Sequence, residues 1–264
     1  MTLANCFFPL FLQTLLKITA TAVIFPMTGH KNYMHKSWWK ILAVVLLVYT
    51  FTAGILIEVP KNPQLQETIR NLFFHVCMWF GMMILFTISF VQAIKYLRTG
   101  KHIHDIASRQ YAGVGILFGL LGYITGAIWM SYTWIDSNKS FYDSFDSIAR
   151  EPKLIGAAIA LLVYAAYLVL RDSITDMDKK ARISAVYNIF AFAMLFPSIW
   201  IIPRLLPSLH PGGSEGNPAL NFKDASMNMR LVFYPAIAGW TLIGVWIATL
   251  KIRWKLLNEQ KLML

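Results

Sequence analysis

Six apolar runs constrain this chain more than any other feature. They cover residues 39–59, 72–94, 111–131, 154–170, 184–203 and 231–250. About 20 residues of α-helix cross the hydrocarbon core of a bilayer, and the fourth run sits at the lower limit of that length. Hydrophobic residues make up 57% of the 264 positions and charged residues 14%, against roughly a quarter charged in a soluble domain. Lipid offers no partner to an unpaired backbone group, so runs of this kind must be helical. They lack the apolar–polar alternation of a membrane β-barrel. The expected fold is all-α: a polytopic membrane helix bundle with six transmembrane helices and room for an N-terminal seventh.

The net charge of +11 is explained by topology and not by nucleic acid. With the start of the first span placed inside, the inner segments carry fourteen Lys and Arg, among them Lys95, Arg98, Lys101, Arg171 and Lys251. The outer loops carry eight. That bias puts both ends of the six-span unit in the cytoplasm. The outer loops also hold eight acidic residues from Glu58 to Asp224, so the outer face is near neutral.

Residues 3–27 form a further apolar stretch, broken by Pro9, Gln13 and Lys17. A seventh span, a signal-like segment and a dispensable extension all fit it. The run Met34-His-Lys-Ser-Trp-Trp-Lys opens like a cytoplasmic start to a first span, so residues 1–33 are read as an extension. Residues 34–264 are then read as the six-span domain. The two cysteines, Cys6 and Cys77, form neither Cys-x-x-Cys nor Cys-x-x-Cys-His. Thiol–disulfide chemistry and covalent haem attachment are therefore not expected, and Cys77, inside the second span, reads as a packing residue. No nucleotide-binding or hydrolase motif occurs, and the chain is not expected to be an enzyme.

Of the six histidines, His75 and His210 share the outer side, each beside an apolar span. His75 follows Arg70-Asn-Leu-Phe-Phe and sits about one turn inside the second span, where a polar ring needs a partner. His210 lies in Leu-Pro-Ser-Leu-His-Pro-Gly-Gly, where proline and glycine fix a turn. Imidazole is the usual protein ligand of haem iron, and two on one side can hold it from both faces. Trp129, Tyr132 and Trp134 cluster at the outer end of the third span, either as an interfacial aromatic belt or as an apolar platform for a flat ligand. Asp136, Asp143 and Asp146 in the following loop have no metal-loop spacing and read as solvated surface. His102 and His104, with Asp105, are expected to be solvated in the basic inner loop. His30 and His35 are expected at the cytoplasmic edge.

Taken in order, several segments resemble a known family, haem exporter protein C (CcmC) of cytochrome c maturation. They are Arg70-Asn-Leu-Phe-Phe-His-Val, Gly126-Ala-Ile-Trp-Met-Ser-Tyr-Thr-Trp, Pro152-Lys-Leu-Ile-Gly-Ala-Ala-Ile, Ser208-Leu-His-Pro-Gly and Asn228-Met-Arg-Leu-Val-Phe-Tyr-Pro. The resemblance runs from about Met34 to Lys255. It implies a six-span protein of the bacterial inner membrane that holds non-covalent haem b at its periplasmic surface. His75 and His210 would be the axial ligands, and Trp129 and Trp134 the opening of a tryptophan-rich platform. It further implies delivery of haem to the periplasmic chaperone CcmE, alongside the ABC-transporter subunits CcmA and CcmB and the small membrane protein CcmD. One departure stands out. The 17 residues after Trp134, ending at Glu151, hold no tryptophan, and Glu151 stands where the family has aspartate.

Two other readings remain. A haem- or quinone-binding subunit of a respiratory oxidoreductase would bury histidine pairs at both membrane depths, and the inner halves of these spans lack histidine. A small-solute transporter would place polar groups at mid-depth, where these spans carry almost no charge.

Overall fold

The structure, a computed structural model, describes residues 37–60, 65–133, 145–146, 149–206 and 226–262. The N-terminal extension, Trp134 and His210 lie outside the described residues. Six helices are long and apolar enough to cross a membrane: α1 (Trp38–Leu56), α2 (His75–Thr99), α3 (His102–Thr133), α4 (Pro152–Ser173), α5 (Met177–Phe196) and α6 (Met227–Leu262). No strand occurs among the described residues. Their outward faces are apolar, as at Val44, Val48, Ile124, Leu162 and Phe190. An apolar exterior around a packed interior is that of a multi-pass membrane protein.

Each helix begins and ends for a local reason. Gly100, at φ 65°, closes α2 with its N–H on the Tyr96 carbonyl (2.8 Å), and two residues later the chain is helical again. Pro152 opens α4 at its first position, where a missing N–H costs nothing. The Asp176 carboxylate accepts from the Lys179 backbone N–H (2.9 Å) and caps α5. Beyond Phe196 the fifth span does not stop at Pro197. It continues as a π-helical turn, Pro197–Ile201, and one further turn, Ile202–Leu205.

Consecutive helices run antiparallel. Lys95, Lys101, Arg171 and Lys179 fall at one end, inner by the charge bias, and His75 and Trp129 at the other. The helices α2 and α3 form the spine. On α2, His75, Trp79, Met82 and Phe86 recur every three or four residues, so they share one face. They seat against Gly126, Gly122, Gly119 and Gly115 of α3, which share another. A Cβ on Gly119 would stand 2.5 Å from Leu161 and 2.8 Å from the Met82 sulfur, so only glycine allows this approach. Around the spine lie Leu85, Phe118, Leu195 and Val245, all buried, and Phe86 stacks on Tyr164 at 3.6 Å.

The last helix, α6, is the most buried of the six and α1 the least. Pro235 interrupts the hydrogen bonding of α6 by withholding an N–H from the Leu231 carbonyl. The Tyr49 hydroxyl of α1 donates to that carbonyl at 3.3 Å.

Candidate functional site

The first helical residue of α2 is His75. Sequence spacing places it a turn inside the span; in the structure Gln66–Phe73 form a separate 3₁₀ helix, and α2 starts only at the histidine. The ring is nonetheless buried, because it lies against α3 where Gly122 and Gly126 expose backbone. A Cβ on Gly126 would stand 2.6 Å from the ring's Cε1. The His75 Nδ1–H donates to the Gly122 carbonyl at 2.9 Å, with Thr125 Oγ1 at 3.2 Å. The Thr125 hydroxyl itself donates to Leu121 (2.7 Å), so its oxygen is also an acceptor toward the ring. Two acceptors around Nδ1 require the proton there. In the neutral ring the lone pair is then on Nε2, the form that ligates a metal.

Two indoles flank the ring edge-on: Trp129 at 5.8 Å and Trp79 at 6.2 Å between centroids. Trp129 is itself held by a hydrogen bond from its Nε1–H to Thr68 Oγ1 at 3.0 Å. The Thr68 hydroxyl donates to the Leu65 carbonyl, which leaves its oxygen to accept. Two residues on, Arg70 donates from one Nη to the carbonyls of Gly54 (2.8 Å) and Ile57 (2.7 Å) and from Nε to Glu67 (2.8 Å). It thus caps the C-terminus of α1, where orphan carbonyls and the helix dipole favour a cation. The segment 65–74 ties the end of α1 to the tryptophan beside His75.

A family profile described as heme exporter protein C matches residues 19–263. The chain belongs to that family. It is similar to the heme exporter protein C of Paracoccus denitrificans, 23% identical over 155 residues, which is 59% of this chain and 60% of that protein. The heme exporter protein C of Rhodobacter capsulatus is 22% identical over 166 residues, 61% and 64% of the two chains. A cytochrome c biogenesis protein CcsA of Pelargonium hortorum is 27% identical over 178 residues, 66% of this chain and 50% of that one. The matched stretches thus span between half and two thirds of these relatives.

Of the residues singled out from sequence, the structure brings His75 and Trp129 together; Trp134 and His210 fall outside the described residues. Trp79 was missed, although its spacing of four from His75 on a helix puts it on the same face. Of the inner histidines, His102 is exposed, as expected, and pairs with Glu259 at 3.1 Å. His104, expected to be solvated, is buried, and its Nδ1–H donates to Gln92 Oε1 at 2.8 Å. The reason is that α3 begins at His102, well before the apolar run, so this polar turn packs against the end of α2. Asp105 is committed to a two-fold ion pair with Arg171, both contacts 2.6 Å. Asp146, expected at the surface, is exposed and pairs with Arg150 at 2.9 Å. Glu151 is buried at the start of α4.

Proposed function

We propose that this chain binds haem b non-covalently at the outer end of the bundle and presents it to a periplasmic haem chaperone during cytochrome c maturation. His75 supplies one axial ligand through Nε2, and His210 the other. Trp129 and Trp134 cover the porphyrin, with Trp79 behind the His75 ring. The observation that carries this reading is the hydrogen bond from His75 Nδ1–H to the Gly122 carbonyl. It fixes the tautomer and the ring plane, the usual outer-shell support of a metal-ligating histidine. Family membership supplies the cargo: the relatives are named for heme export and cytochrome c biogenesis.

The residues present suit haem. Imidazole ligates its iron, and tryptophan faces match its apolar ring. Haem is cargo here, and the chain makes and breaks no covalent bond in it. In this reading the protein sits in the bacterial inner membrane. Its partners are the chaperone CcmE, the ABC-transporter subunits CcmA and CcmB, and the small protein CcmD.

The test is complementation in a strain whose own copy of this gene is deleted. The full chain should restore covalent haem on cytochromes c, and His75→Ala at equal protein level should fall about tenfold or more, as loss of a first ligand demands. Full maturation with His75→Ala would overturn the proposal.

A further inference from the structure

The inner half of the bundle contains a polar centre that the haem reading does not use. Asn188 of α5, fully buried, donates both amide hydrogens, one to Ser89 Oγ of α2 and one to Ser108 Oγ of α3, each at 2.8 Å. Ser89 donates in turn to the Ser108 carbonyl at 2.7 Å. Tyr167 of α4 is buried one turn inward of Tyr164. One turn inward, Gln92 accepts from His104.

On the turns around these bonds, four of the buried side-chain atoms of α2, α4 and α5 have no partner among the described residues: Asn188 Oδ1, Gln92 Nε2, Ser184 Oγ and Tyr164 Oη. They converge. Gln92 is one turn from Ser89 on α2, and Ser184 one turn from Asn188 on α5. The two helices are antiparallel, so these turns lie on the same side of the Ser89–Asn188 bond. Tyr164 stacks on Phe86, one turn outward from Ser89.

An unpaired polar atom in a membrane interior costs several kcal/mol. Four around one centre call for a ligand. One of the four is a donor only, one an acceptor only, and two are hydroxyls that can do either. The nearby charges, Asp105 and Arg171, cancel each other. A small neutral ligand that both donates and accepts fits this set, and an ion does not. We propose that ordered water occupies a site bounded by Asn188, Gln92, Ser184 and Tyr164, and joins α2, α3, α4 and α5 in the inner half of the membrane. A buried water typically makes about three hydrogen bonds, the number such a centre offers.

Hydroxyl-radical footprinting of the full chain in nanodiscs tests this, since radicals made from bound water label the side chains beside it. Tyr164 and Tyr167 should be oxidised several times faster than Met82, which is fully buried one turn outward and chemically the more reactive. Equal silence at Tyr164 and Met82 would overturn the proposal. So would equal labelling of both, which would make the core generally wet. In Asn188→Leu, which fills the centre with apolar atoms, Tyr164 labelling should drop to the Met82 level. Persistent labelling in a correctly inserted Asn188→Leu chain would also overturn it. Should that variant fail to insert, the comparison within the native chain decides alone.

Discussion

At Gly126 a hydrogen atom stands where any other residue would place a carbon against the His75 ring. That contact, and not the histidine alone, sets where Nε2 points. Gly126→Ala should push the ring off the Gly122 carbonyl at about 1–3 kcal/mol of overpacking. Haem affinity should fall roughly 10- to 100-fold, the usual effect of losing a ligand's outer-shell partner. Thr125→Val removes only the longer contact and should keep most of the affinity. Titration of the two purified variants with haem checks this, and equal affinities would detach Gly126 from the site. His75 itself is legible in sequence, because charge bias and span boundaries put it at the outer edge. Its tautomer is not. The deciding carbonyl is 47 residues away, and only packing of α2 on α3 brings it near. Trp79 could have been read from the helical spacing alone.

Among the elements, α3 begins furthest ahead of its apolar run. Its apolar run starts at Tyr111, but the helix starts at His102, and the added turns hold Asp105 buried against Arg171 of α4. Removing one partner of a buried pair leaves a charge stranded, at about 3–5 kcal/mol. Asp105→Leu should therefore lower the thermal midpoint of the detergent-solubilised protein sharply. Asp105→Leu with Arg171→Met should recover most of the loss, because an apolar pair of similar volume replaces the ions. No recovery in the double variant would show that the pair acts through something other than mutual neutralisation. Counting charges along the spans correctly finds almost none at mid-depth. It passes over Ser89, Gln92, Ser108 and Asn188, neutral side chains whose burial together depends on four helices meeting. By contrast, the six spans themselves are plain in the sequence. Their apolar length is a local property, and only their ends, fixed by Gly100, Pro152, Asp176 and the π-turn at Pro197, needed the structure.

Seen whole, the molecule divides by depth. The outer end presents a tautomer-locked histidine and its tryptophans, with Arg70 and Thr68 bracing them. The middle is closed by aromatic and aliphatic packing, and the inner end by a polar centre and a basic surface. The respiratory-subunit reading gains one buried inner histidine, His104, but it is held by Gln92 and has no second histidine beside it among the described residues. The proposal rests on the geometry of His75 for the place and on the family for the cargo. The central claim is that haem iron is bonded there to His75. The most direct measurement is the visible and electron paramagnetic resonance spectrum of purified haem-loaded protein, for the native chain and for His75→Gly with and without imidazole. The native chain should give a low-spin bis-imidazole iron. His75→Gly should lose most of its haem or turn high-spin, and added imidazole should restore the low-spin signal by filling the vacated position. An unchanged low-spin spectrum at full occupancy in His75→Gly would contradict the account.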